Sequence, residues 1–285
     1  MCSGADAYAP VPMRTVTADV VDPTSCRLGE GPIWHDGTLH WVDIEGRAIH
    51  RLGGDPIPTD LRPGCLVFDD RGRRVVGFDD GVHLETGAGW ERIVALDPDD
   101  PTTRLNDGKV APDGRLVVGT MTENQADRRG WLWAVDVHGG AEVLLEGVAV
   151  SNGLAWSGDH LWYVDSPSRK VRRFAWPPPL GEPTAVIRIP ADRGFPDGMC
   201  VDDDGCLWVA HWGGGIVARY TPDGDLDTVV GMPTPQVTSC AFDEGTTLYI
   251  TTAAEGRPDD PAAGRTYAVD VGIGGPAPRS FGVGA

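Results

Sequence analysis

Glu30 in L-G-E-G, Asn152 in S-N-G and Asp197 in P-D-G each set one oxygen-bearing side chain beside a glycine, just ahead of a short apolar strand. Two carboxylates and one amide oxygen, converging with open positions between them, suit a hard divalent cation and its waters. The chemistry such a site performs is metal-assisted hydrolysis. The three residues are far apart in sequence, so the elements that carry them must bring them together.

An internal repeat supplies those elements. A turn followed by an apolar strand recurs six times, as in H-D-G-T-L-H-W-V-D from His35 and D-D-D-G-C-L-W-V-A from Asp202. Marked by Gly37, Gly72, Gly114, Gly158, Gly205 and Gly245, the steps are 35, 42, 44, 47 and 40 residues, a period typical of propellers and other repeat arrays. A strand precedes each marker, another follows, and most units add a weaker fourth, such as E-V-L-L-E from Glu142 and T-A-V-I-R-I from Thr184. Four short strands in each of six units, joined by Gly and Asp-Gly turns, predict an all-β, six-bladed β-propeller. Residues 1–14 read as a flexible N-terminal segment and 15–285 as a single propeller domain. The run T-V-T-A-D-V-V from Thr15 is expected to pair with the last blade and close the ring, leaving no open sheet edge.

Propeller geometry then groups the polar residues. Segments entering first strands and those joining second to third strands share one face. The former hold Glu30, Asn106, Asn152 and Asp197; the latter hold Asp43 to Glu45, Asp79, Asp80, Glu123, Asn124, Asp165, Ser166, His211 and Trp212. One end of the central channel is therefore polar and carried on rigid strands, where a binding pocket belongs. His211 is the only histidine on that face and a candidate substrate contact.

Composition narrows the partners. A net charge of −18 argues against nucleic acid, which needs a basic face. No apolar run is long enough to span a membrane, and Met1 to Met13 lack the basic start and apolar core of a signal peptide, so a cytoplasmic location is expected. The six cysteines form no C-x-x-C pair. Cys65, Cys200 and Cys240 fall at equivalent places in first strands, as reduced packing thiols would. Asp202 to Gly205 lacks the closing Glu of a calcium loop.

At these residues the chain resembles the gluconolactonase/regucalcin family, which includes senescence marker protein, luciferin-regenerating enzyme and bacterial sugar lactonases. The likeness spans nearly the whole chain and is carried by L-G-E-G-P-I-W, W-V-D-I, R-L-N-D-G-K-V, G-R-L-V-V-G-T-M, S-N-G-L-A-W, P-D-G-M and L-Y-I-T-T-A. It implies a six-bladed propeller with one divalent cation (Ca, Zn, Mn, Mg or Fe) in its channel, held by Glu30, Asn152 and Asp197. It also implies substrate binding by Arg104 and Asn106, and hydrolysis of small-molecule sugar lactones. Relatives can carry two adjacent acidic residues after G-T-M, the second contacting substrate. Here the pair is Glu123 and Asn124, which points to a different sugar.

Within this set Asp197 is expected to activate water as well as bind the cation, while Glu30, fixed in a tight glycine-flanked turn, suits a ligand. Arg104, Asn106 and Asn124 suit a polyhydroxylated substrate. Two other functions stay open at this level: a related hydrolase of organophosphates or larger lactones, since fold does not fix function, and a non-enzymatic calcium-binding propeller. The sequence leaves the oligomeric state undetermined.

Overall fold

The computed structural model describes residues 14–97, 100, 102–125 and 127–284. Among them 25 strands form six sheets arranged as the blades of a propeller. Blade one runs β3 (Gly29–His35), β4 (Thr38–Asp43), β5 (Ala48–Arg51) and β6 (Ile57–Pro58); blade two β7 (Cys65–Phe68), β8 (Arg74–Phe78), β9 (Gly81–Thr86) and β10 (Gly89–Val94). Blade three holds β11 (Thr103–Val110), β12 (Leu116–Thr122), β13 (Gly130–Val135) and β14 (Ala141–Val148); blade four β15 (Ser151–Ser157), β16 (His160–Asp165), β17 (Lys170–Ala175) and β18 (Ala185–Arg188). Blade five is β19 (Phe195–Val201), β20 (Leu207–Trp212), β21 (Ile216–Tyr220) and β22 (Leu226–Gly231), and blade six contributes β23 (Val237–Phe242), β24 (Thr247–Thr252) and β25 (Thr266–Asp270).

Closure differs from the sequence expectation in one respect. The segment after Thr15 is two strands. β2 (Asp19–Asp22) runs antiparallel to β25 and completes blade six, as expected, whereas β1 (Arg14–Thr17) lies parallel to β22 as a fifth strand of blade five. Ala18 between them is buried, so the chain turns from one blade's edge to the next around a small apolar residue. Apart from Arg14, the expected N-terminal segment lies outside the described residues, and so does Cys2.

Apolar side chains from adjacent blades interdigitate. Blades five and six share a core that includes Trp208, Val217, Val230, Ile250 and Tyr267, and blades three and four share one that includes Val117, Leu132, Leu154 and Tyr163. Cys65, Cys200 and Cys240 sit in the innermost strands β7, β19 and β23, all buried and free, and Cys26 and Cys206 are likewise buried and free. Burial pushes the Cys65 thiol up to about 12, so it packs as a small hydrophobe. Among the described residues no helix is long and apolar enough to cross a membrane.

Candidate active site

The innermost strands are where the repeat becomes chemistry. β3, β11, β15 and β19 each carry a register shift against the next strand, between Glu30 and Ile33, Leu105 and Gly108, Asn152 and Leu154, and Pro196 and Met199. A bulge re-aims a side chain that the regular pleat would send elsewhere. Here four bulges turn Glu30, Asn106, Asn152 and Asp197 toward one end of the channel.

Gly108, Gly153 and Gly198, one or two positions after Asn106, Asn152 and Asp197, let neighbouring first strands approach. A Cβ on Gly153 would lie 2.5 Å from the Asp197 backbone oxygen, one on Gly108 would lie 2.7 Å from Cys65 Sγ, and one on Gly198 would fall onto Ser239 Oγ. The N-G and D-G pairs thus record tight contact between first strands as well as turn chemistry. We expect Gly153→Ala to cost about 1–3 kcal/mol of stability through overpacking and to displace the strand bearing Asp197. Urea unfolding alongside activity checks this, with Gly158→Ala as the comparison, because a Cβ there meets nothing within 4 Å although its φ of +55° adds strain.

These residues line a cavity of about 530 Å³. Glu30, Arg104, Asn106, Asn152 and Asp197 are all buried in its wall. Asn106 Nδ2 donates to Ser151 O at 2.7 Å and to Asn152 Oδ1 at 3.3 Å, and Asn152 Nδ2 donates to Ser166 Oγ at 3.0 Å. Arg104 donates from one Nη to Asn106 Oδ1 at 2.7 Å. The chain of bonds fixes the amide orientations, so Asn152 presents its oxygen to the same space as the carboxylates.

Among the described residues Asp197 Oδ1 is buried without a hydrogen-bond partner, as is Arg104 Nε. Among the described residues Glu30 accepts only from the Gly31 amide, at 3.0 Å. Burial, with the charge of Asp107 second, pushes Glu30 up to about 8. Burial, then the charges of Glu30 and Asp107, raises Asp197 well above the usual carboxylate range. Two buried carboxylates that cannot both ionise comfortably, one with a bare oxygen, lack a positive charge between them. The oxygen donor set of Glu30, Asn152 and Asp197 fits a hard divalent cation.

Asn124 is placed differently from the other candidates. It is exposed on the turn after β12, and its backbone oxygen accepts from Thr122 Oγ1 at 2.6 Å. Its neighbours Glu123 and Gln125 line the cavity, whereas Asn124 is not among the lining residues. His211 lies beneath the rim rather than in the wall. It is fully buried, with Nδ1 2.8 Å from Arg193 O and Nε2 3.2 Å from Tyr220 Oη, and burial lowers it to about 4. Glu45, Ser166 and Trp212 from the sequence set do line the cavity, joined by Phe195 and Glu255. Asp107, a further buried carboxylate whose charge acts on both Glu30 and Asp197, gave no signal of its own inside R-L-N-D-G-K. It faces a separate hollow further along the same strands with Lys109 and Cys200.

Cys26, Asp43 and His50 form a second group with ligand atoms within 4.8 Å of one another. The Asp43 carboxylate already accepts from the amides of Arg27, Leu28 and Gly46 at 2.8–2.9 Å, and Trp41 Nε1 donates to Cys26 Sγ at 3.4 Å. Burial, then the charge of Asp43, pushes the Cys26 thiol up to about 12. A metal there would have to displace these bonds and a proton. The group fits better as the clamp that holds the segment leading into Glu30.

Residues 28–254 match the model of the SMP-30/gluconolactonase/LRE-like region. The chain is 37% identical to pentonolactonase XacC of Haloferax volcanii over 92% of this chain and 96% of that one. It is 34% identical to 6-deoxy-6-sulfogluconolactonase of Pseudomonas putida over 89% and 94%. Among solved structures, the calcium-binding protein regucalcin from Agrobacterium tumefaciens superimposes with a TM-score of 0.87 at 26% identity, over 95% of this chain and 99% of that one. The motifs, the six bladed sheets and these likenesses agree: the chain belongs to the SMP-30/gluconolactonase/LRE-like family.

Proposed function

We propose that the chain is a hydrolase of carboxylic ester bonds that opens sugar lactones to aldonic acids with the help of one divalent cation. The observation that carries this is the bare, buried oxygen of Asp197 beside Glu30 and Asn152 in a polar cavity large enough for a sugar. Relatives named as lactonases of pentonic and sulfogluconic acids support the ester chemistry.

Glu30, Asn152 and Asp197 would hold the cation. Bound there, it supplies Lewis-acid polarisation of the lactone carbonyl. Arg104 and Asn106, two apart on β11 and hydrogen-bonded to each other, orient the ring and its hydroxyls. A wall built to pair hydroxyls rejects ligands that lack them, because its own polar groups are then left unpaired. Asp197 takes the proton of the attacking water and returns it to the departing ring oxygen, which takes up the electron pair of the broken ester bond. Trp212 and Phe195 in the rim supply apolar surface. The buried free thiols support a cytoplasmic setting.

The test compares hydrolysis of galactono-1,4-lactone, an aryl ester and paraoxon, with and without chelator, for the native chain and Glu30→Gln. Sugar-lactone turnover should dominate, fall with chelation, and fall further in Glu30→Gln together with metal affinity. Preferential turnover of paraoxon would favour the organophosphatase reading. Full activity of metal-stripped Glu30→Gln would exclude the metal role.

A further inference from the structure

A lactone seated with its carbonyl at Glu30 and Asp197 points its far end toward the cavity rim. There Glu45, Glu123 and Glu255 line the opening. The nearest guanidinium, Arg62, is already committed. Its Nη2 pairs with Glu123, its Nε donates to Asp79 at 2.8 Å, and its Nη1 reaches Glu45 at 3.4 Å. Arg62 thereby ties loops of blades one, two and three and fixes two of the three rim carboxylates in place. Glu255 is exposed and belongs to none of the described ion pairs.

Within the wall Arg104 is the only cationic side chain among the lining residues. It is buried, and it is bonded to Asn106 Oδ1 and Leu105 O. Three carboxylates (Glu45, Glu123 and Glu255) thus stand at the mouth, where Arg62 is already paired with Glu45, Asp79 and Glu123, while Arg104, deeper in the wall, bonds only uncharged oxygens and keeps a bare Nε. The Asn106–Asn152–Ser166 chain offers neutral partners for hydroxyls. At its exposed end the cavity therefore carries more carboxylates than guanidiniums, with uncharged partners for hydroxyls beneath.

We propose that Glu45, Glu123 and Glu255, with Arg62 holding the first two, make the cavity select uncharged sugar lactones over those with an anionic group at the end remote from the ester. The proposal rests on the lactonase reading and names the substrate class within it. Like charges near one another inside a cleft with low-dielectric walls repel strongly, and the repulsion is screened by salt. Glu123 and Glu255 act as specificity residues and Arg62 as a positioning residue.

The experiment measures kcat/KM for galactono-1,4-lactone and for galactaro-1,4-lactone, which carries a carboxylate in place of the terminal hydroxymethyl on the same ring, on the native metal-loaded protein. The ratio should favour the uncharged lactone by about tenfold or more at low salt. It should shrink as ionic strength rises from about 0.02 to 0.5 M, where the screening length falls below about 5 Å. Glu255→Gln, which removes no described ion pair, should lower the ratio several-fold, and Glu123→Gln with Glu255→Gln should lower it further. Lactone turnover with a ratio near one overturns the inference alone. So does a large ratio that neither salt nor the Gln variants change, because selection would then be steric. Absence of turnover on every lactone overturns the lactonase reading and this inference with it.

Discussion

Asp197→Asn is expected to lower turnover of a sugar lactone by about a hundred- to ten-thousand-fold, the usual range for loss of a positioned general base, while leaving measurable metal binding. The amide keeps one oxygen for a cation but cannot accept the water's proton. The native Oδ1 is buried and unpartnered, so nothing else in the described structure competes for it. Metal titration by calorimetry and pH-stat kinetics on the same preparation separate the two roles. Near-native turnover with metal bound would reduce Asp197 to a ligand and move the base elsewhere.

The second large effect concerns stability against pH. In the cation-free fold Glu30 is pushed from its ordinary 4.5 up to about 8, by burial and then by Asp107, and Asp197 is raised as well. The folded state therefore holds protons that the unfolded chain has released. Stability from Glu30 is complete below about pH 4.5 and is lost as pH climbs toward about 8, and the raised Asp197 contributes with the same sign. With one pKa unit worth about 1.4 kcal/mol, chelated protein should be on the order of a few kcal/mol less stable at pH 8 than at pH 5. That corresponds to about 5–10 °C in Tm for a chain of this size. Adding a divalent cation should restore the loss, with a larger gain in Tm at pH 8 than at pH 5. Scanning calorimetry of chelated and metal-loaded protein across that range checks both signs, and Glu30→Gln should flatten the dependence. A cation-induced gain independent of pH would mean that the carboxylates are not its ligands.

Much of the molecule was legible in the residues because the repeat repeats its chemistry. The Gly-centred turns gave six blades, and the oxygen residues beside Gly31, Gly153 and Gly198 did meet in one wall. Where legibility failed, the cause was local geometry. The alternation of a regular strand cannot reveal a bulge, so the effect of the Asp107 charge on Glu30 and Asp197 was not apparent. The turn after β12 exposes Asn124 and points its neighbours into the cavity, a reversal set by the Thr122 hydroxyl capping the loop. Position on the correct face did not make His211 a wall residue, because Arg193 and Tyr220 hold both its nitrogens beneath the rim. Arg62 gave no sequence signal at all: its three carboxylates come from three blades. The run after Thr15 was read as one strand because β1 and β2 share a β-branched pattern, while only the buried Ala18 marks the step between blades.

That step has a consequence for how the protein comes into being. Asp19 pairs with Ala268, so a strand made about 250 residues earlier completes the sheet of the last blade. Until β25 is made, Asp19–Asp22 has no partner there, and its two aspartates discourage pairing with a wrong edge. Blade six in turn presses on blade one, where Thr238 Oγ1 bonds the backbone oxygen of Gly29, the residue before Glu30. A nascent chain stopped anywhere before the final blade therefore lacks both ring closure and the support behind Glu30. Catalytic competence should arrive in one step, once β25 has been made, rather than accumulate blade by blade.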